Sequence, residues 1–371
     1  MIPFLDLRAQ YRIIGPQLEH AVLDAMRECN FVLGDKVADF EAGFARYCGT
    51  GHTVALNSGT SALHLALLAA GIGPGDEVIT VPTTFVATVA AILYAGATPV
   101  FVDVDPVTWT MDPTRIAEKV TSRTKAIVPV HLHGRLADMT SICAAARRFD
   151  LVVIEDAAQA HGAERDGVRA GAFGDIGCFS FYPGKNLGAC GEGGAITTDR
   201  PDFAAAVRSL RDWGQEGKYN HVRHGFNFRM DAVQGAVLGV KLAYLDGWNA
   251  QRRRIANLYN DGLFGDLGLP AGPFGVDHAC HVYAVQTEDR DRVRRLLADA
   301  DVATNIHYPV PVHLQPAYAG LGYRAGNFPV SEALARHTLS LPLYPELTDA
   351  SVAKVIAALN EATARPLART A

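Results

Sequence analysis

The chain has 371 residues, 49% of them hydrophobic and 20% charged. This excludes a disordered polymer and leaves room for about two or three domains without a disulfide or metal staple. Its 39 acidic residues outnumber its 34 basic ones, and a net charge of −5 argues against a general nucleic-acid binder.

The elements follow in chain order. The opening residues Met1 to Arg8 lack a basic segment followed by an apolar one, so no secretory leader is expected and the cytoplasm is the default location. A helical N-terminal segment leads into a predicted strand, Thr53–Asn57, and a helix, Gly59–Ala70. Next come strand Glu77–Val81, helix Val86–Ala95 and strand Pro99–Asp103. The uncharged run Ile79 to Val102 is long enough to span a membrane, but Pro82, Gly96 and Pro99 interrupt it, so it reads as buried α/β core. Helix Pro113–Val120, strand Lys125–Val130, helix Asp138–Phe149 and strand Leu151–Glu155 continue the alternation. Strands Ile176–Phe181 and Gly194–Thr198 then follow each other without a clear helix, which hints at a departure from parallel winding. The pattern predicts an α/β fold with a mostly parallel sheet covered on both faces. From Met230 to about Tyr259 one long helix is predicted, carrying Arg252-Arg253-Arg254. A smaller α+β unit follows, with an amphipathic helix near Arg292–Asp299. The boundary is placed near 245, giving a large domain over 1–245 and a small one over 246–371.

Three segments carry chemistry. In Asn57-Ser58-Gly59-Thr60-Ser61, hydroxyl residues and a glycine open a helix directly after a strand, which reads as a phosphate cradle or as a simple N-cap. In Glu155-Asp156-Ala157-Ala158-Gln159, acids end an apolar strand, at the ligand-binding edge of an open sheet; Asp156 reads equally as a helix cap. Lys185 follows a strand in Ser180-Phe181-Tyr182-Pro183-Gly184-Lys185, among aromatic and glycine neighbours that would lower an amine's pKa. A cradle, an acid and a lysine are the three needs of pyridoxal phosphate: the acid keeps the pyridine nitrogen protonated and the lysine carries the aldehyde carbon. Phe85 is placed to stack on the ring or to pack in the core. No cysteine pair has C-x-x-C spacing, and no metal site is expected.

These residues resemble the DegT/DnrJ/StrS family of nucleotide-sugar aminotransferases. The resemblance runs from Phe4-Leu5-Asp6-Leu7 to Ser340-Leu341-Pro342-Leu343-Tyr344-Pro345 and includes Gly225-Phe226-Asn227-Phe228-Arg229-Met230. It implies the aspartate-aminotransferase (type I) fold, with a seven-stranded, mostly parallel sheet in a three-layer sandwich. It implies Lys185 as the cofactor-bearing lysine and Asp156 as the partner of the pyridine nitrogen. Gln159 would lie near the ring hydroxyl and Phe85 on the ring face. Gly59, Thr60 and Ser180 would be phosphate ligands, and Asn227 would reach the phosphate from the neighbouring subunit of a homodimer. Tyr182, His307, Tyr308 and His313 are candidate sugar contacts, each equally open to a structural role. Arg229 is a candidate for the donor carboxylate, with packing or ion pairing as the other reading.

The segments Phe181 to Gly188 and His307 to Pro316 resemble members that aminate 3-keto sugars, usually dTDP-linked 3-keto-6-deoxyhexoses, with glutamate as donor. Tyr182 stands where members acting on 4-keto sugars carry histidine. A 4-keto sugar, a UDP-linked 3-keto uronic acid and a keto-cyclitol are the alternative acceptors, and a non-catalytic sensor is the remote one. Arg135, where glutamine is expected, departs from the pattern.

Overall fold

The computed structural model describes residues 1–364. Two helices open the chain, α1 (Leu7–Glu28) and α2 (Asp35–Cys48). They lead into β1 (His52–Leu56), α3 (Gly59–Ala69), β2 (Glu77–Thr80), α4 (Ala87–Tyr94), β3 (Thr98–Phe101), β4 (Thr124–Ile127), α5 (Met139–Phe149) and β5 (Val152–Asp156). A short hairpin, β6 (Glu164–Arg165) with β7 (Val168–Arg169), precedes β8 (Ile176–Ser180), β9 (Gly194–Thr198) and α6 (Pro201–Arg211).

Seven strands form one sheet in the order β1-β9-β8-β5-β4-β2-β3. β3, β2, β4, β5 and β8 pair in parallel, whereas β9 is antiparallel to both β8 and β1. The missing helix between the last two predicted strands therefore marks the one strand that reverses. Side chains on both faces of the sheet are buried, which is why these strands read as apolar runs rather than alternating ones.

Two predicted helices differ. Pro113 to Val120 forms two short 3₁₀ turns, Pro113–Arg115 and Ala117–Lys119. Only Ile116 is buried there, so the segment lacks the apolar stripe that sustains a longer helix. The long helix from Met230 is two helices, α7 (Ala232–Leu242) and α8 (Leu245–Gly262). Leu238 and Leu245 pack in a core with Phe40, Phe44 and Phe181, whereas Ile255, Ala256 and Tyr259 join a different core. The chain must change direction between the two.

That second core is closed by β10 (Tyr283–Gln286), α9 (Arg290–Asp299), β11 (Thr338–Leu341) and α11 (Asp349–Thr363), whereas α10 (Pro329–His337) packs Leu334 against Ile79 and Val282 in another core. β10 and β11 pair antiparallel, Tyr283 opposite Leu341. Among the described residues, no helix is long and apolar enough to cross a membrane.

Candidate active site

The carboxyl ends of β1, β5 and β8 converge on one edge of the sheet, where open α/β folds bind ligands. Ser58 caps α3 by accepting from the Ser61 N–H at 3.1 Å, and the Ser61 hydroxyl donates to Asn57 Oδ1 at 2.7 Å. The N–H groups of Gly59 and Thr60 fall in the first turn, where no intrahelical acceptor exists. Glycine is required for this approach. A Cβ on Gly59 would lie 2.6 Å from Ser180 Cβ, and one on Gly194 would lie 2.2 Å from the Ser58 carbonyl. The first turn of α3 is thereby pressed against the ends of β8 and β9, with its free donors facing the cavity.

Alternation along β5 separates the two adjacent acids. Glu155 is fully buried on one face, where it accepts from the N–H groups of Gly171, Phe173 and Gly174 at 2.7–2.8 Å and from His131 Nε2 at 2.9 Å. Its role is to hold the 171–174 turn. Asp156 faces the cavity and is 5% exposed. Its Oδ2 accepts from the Thr88 hydroxyl at 2.7 Å, and its Oδ1 from the Ala158 N–H at 3.2 Å. Burial pushes the Asp156 carboxyl up, opposed by those two bonds and by the charge of Lys185. A cation placed against it would relieve the same burial.

Lys185 is half-buried, and no protein acceptor among the described residues takes its Nζ. Burial pulls its ammonium down to about 8, against the counter-pull of Asp156. Asn186 anchors the next residue by donating to the Ala279 carbonyl and Asn249 Oδ1 at 2.7 and 2.8 Å. Gln159 is fixed from both sides: its Oε1 accepts from the His133 N–H at 2.6 Å and its Nε2 donates to the Tyr308 hydroxyl at 3.0 Å. Phe85 is 53% exposed, and its ring centroid lies 5.7 Å from that of Tyr308.

A cavity of about 650 Å³ brings most of the sequence-predicted residues together. Gly59, Thr60, Phe85, Asp156, Gln159, Ser180 and Lys185 line it, joined by Tyr182, His307 and Tyr308. His307 is held by Ser340 Oγ at 2.9 Å, and burial pulls its ring down to about 4, so it is neutral at physiological pH. Three candidates lie elsewhere. His313 is a correction. It is 1% exposed, bonds Glu332 at 3.2 Å and packs on Phe328, and it does not line this cavity. Within one chain Asn227 is exposed and accepts from Arg229, while Arg229 pairs with Asp212 at 3.0 Å. The departure at Arg135 also points away: its guanidinium donates to the Ala271 carbonyl.

Sequence reasoning missed Phe4 and Asn305, which wall the cavity from distant segments, and Arg252 and His281, which line it with Lys185. Arg252 carried a visible signal, a triple-arginine run in a helix, but charge runs are usually solvated faces. The residues present fit pyridoxal phosphate. Free helix N–H groups suit a phosphate, a buried carboxylate lacking a cation suits the pyridine nitrogen, and an unpaired amine of lowered pKa suits the aldehyde.

The comparisons agree with this geometry. The chain is 45% identical over 362 residues to a dTDP-3-amino-3,4,6-trideoxy-alpha-D-glucose transaminase of Streptomyces venezuelae, covering 97% of this chain and 96% of that one. It is 44% identical over 364 residues to a pleiotropic regulatory protein of Geobacillus stearothermophilus, covering 97% and 98%. The X-ray structure of S. venezuelae DesV in complex with ketimine intermediate superposes with a TM-score of 0.96 at 44% identity, covering 98% of this chain and 99% of that one. The model of the DegT/DnrJ/EryC1/StrS aminotransferase family matches residues 13–360. The chain belongs to that family and is a pyridoxal-phosphate-dependent sugar aminotransferase.

Proposed function

We propose that the protein transfers an amino group from glutamate to C3 of a dTDP-linked 3-keto-6-deoxyhexose, as a homodimer in the cytoplasm. The observation that carries the reading is the free Lys185 amine in one cavity with buried Asp156 and the open first turn of α3. Preference for C3 is supported by a relative whose name states a 3-amino product, and by Tyr182 on the cavity wall. Free cysteines at all six positions suit a reducing compartment.

When bound, pyridoxal phosphate supplies the electron sink that lets the donor's α-carbon release a proton. Nζ of Lys185 is the base that accepts this proton and returns it, and its lowered pKa leaves part of it unprotonated near neutrality. Asp156, oriented by Thr88 and the Ala158 N–H, would hold the ring nitrogen's proton in place. Gly59, Thr60 and Ser180 would hold the phosphate, and Phe85 and Gln159 would hold the ring. Tyr182, His307 and Tyr308 shape the sugar pocket.

Asn227 acts on the partner subunit's phosphate. Its exposure supports this, as do the exposed Phe31, Trp213 and Tyr219 on segments tied to it by backbone bonds. We read 1–245 as the cofactor domain and 246–371 as the small domain, of which 365–371 lie outside the described residues. Incubation with glutamate and dTDP-3-keto-6-deoxyglucose or its galacto epimer, with product analysis by mass spectrometry and NMR, tests the reading. A 4-amino product, or none, overturns the C3 assignment. Absence of any half-reaction with glutamate would favour the regulatory role carried in one relative's name.

A further inference from the structure

Among the described residues, two arginines are buried, Arg211 and Arg252. The first is matched: Arg211 pairs with Glu41 and donates to the Ala55 carbonyl. Arg252 is 4% exposed, yet it lines the same cavity as Lys185 and His281. Its Nη1 donates to the carbonyls of Leu343, Cys280 and His281 at 2.8, 3.4 and 3.5 Å. Those bonds anchor the side chain without cancelling its charge. Its Nε is buried without a partner, as is that of Arg211, but no carboxylate among the described residues pairs with Arg252. Glu346 acts on it only through space. A buried guanidinium left this way is costly unless an anion completes it, and its planar fork matches a carboxylate.

The neighbouring imidazole offers the complementary group. Asn249 Nδ2 donates to the His161 carbonyl at 2.7 Å, and Asn186 Nδ2 donates to the Ala279 carbonyl at 2.7 Å. Carbonyls only accept, so both amides have fixed orientations and Asn186 Oδ1 is an acceptor. His281 Nδ1, 3.2 Å from that oxygen, must therefore carry the ring proton. Its Nε2 is left as a lone pair with no protein partner on the cavity wall. Burial, with Lys185 and Arg252 nearby, keeps the ring neutral.

A guanidinium next to an imidazole lone pair complements a carboxylate next to an amino group. We infer that Arg252 and His281 form the subsite for the α-amino-acid donor, Arg252 holding its α-carboxylate and His281 accepting from its amino group. Arg229, the sequence candidate, is already paired with Asp212. This inference rests on the transaminase reading.

The test uses cofactor-loaded protein and α-methyl-L-glutamate, which has no α-hydrogen and so binds without turnover. Binding is read from the cofactor's absorption. Arg252→Gln is expected to weaken that binding between about tenfold and a hundredfold, with Arg252→Lys recovering part of it. The keto-sugar concentration for half-maximal rate should stay unchanged. His281→Phe, which removes only a neutral acceptor, should weaken the probe by about tenfold or less and carries the test if Arg252→Gln does not fold. Wild-type probe affinity in Arg252→Gln and His281→Phe overturns the subsite. So does a loss confined to the keto sugar, or an equal loss of both ligands with a lowered Tm. A wild-type enzyme that neither binds the probe nor reacts with glutamate overturns the donor reading itself, and the subsite with it.

Discussion

Asp156 and Glu332 are both buried carboxylates, and each has a sequence-flagged partner nearby, Lys185 for one and His313 for the other. Around Glu332 the bonds close on themselves. It accepts from the N–H groups of Gly326 and Phe328 and from His313 Nε2, while Asp103 beside it takes the Val330 and Ser331 N–H groups at the start of α10. Its unmatched atom, His313 Nδ1, is an acceptor walled off among Phe101 and Phe328. Around Asp156 the protein leaves charge and donors unused: the Lys185 amine, the first N–H groups of α3 and the charge of Arg252, which no carboxylate among the described residues pairs. The residues that carry them line one cavity. Burial of polar groups is common to both regions, and unused bonding capacity open to a cavity belongs to one. That difference separates a ligand site from a brace.

The largest effect expected from breaking the comparison is at Lys185. Lys185→Ala should reduce amino transfer by more than about 10³-fold, since nucleophile and base are lost together. The folded protein should lose its borohydride-reducible visible band. Asp156→Asn comes next. It keeps the Thr88 bond but removes the charge that faces the ring nitrogen, so a fall of about 10²–10³-fold in transfer rate is expected. Its unfolding midpoint in denaturant should hold or rise, because a buried charge has gone. A parallel loss of stability and activity would place Asp156 with the braces.

A smaller effect concerns pH. Only the unprotonated amine captures an aldehyde. With the Lys185 pKa near 8, about a tenth of it is free at pH 7. The rate at which cofactor-free protein captures pyridoxal phosphate should rise about tenfold per pH unit below 8 and level off above it. A rate still climbing at pH 9.5 would mean an ordinary solvated lysine.

Much of this site was legible because its parts sit in short segments just after strands. Residues 58–60, 156–159 and 180–185 each follow a strand end, and parallel winding brings such ends to one edge. Glu155 and Asp156 were harder. Adjacent acids look alike in sequence, and only the strand's alternation assigns one to the turn and the other to the cavity. The break between α7 and α8 left no mark, because the apolar spacing runs on through Leu242 and Leu245. Phe4, Arg252, His281 and Asn305 come from segments far apart in sequence, so only tertiary folding places them together. His313 misled because it shares a motif with His307 while the 3₁₀ turn Val312–Leu314 aims it inward.

The smallest expected effect on activity is at Glu332. Burial alone would push its carboxyl up, but the bonds from Gly326, Phe328 and His313 outweigh it and hold the group below the usual carboxylate range. Such a group stabilises the folded state fully above its unfolded pKa, and the contribution is lost as pH falls through the folded value. Glu332→Ala removes that contribution and strands several N–H groups, which should cost roughly 2–3 kcal/mol in denaturant unfolding at pH 7. The cost should shrink as the pH is lowered toward 3. Transfer rate per folded molecule should not change, because no atom of this cluster reaches the cavity. A changed sugar specificity in Glu332→Ala or in His313→Phe would mean that the cluster positions His307 and Tyr308 through the intervening turn, and the division between brace and site would have to move.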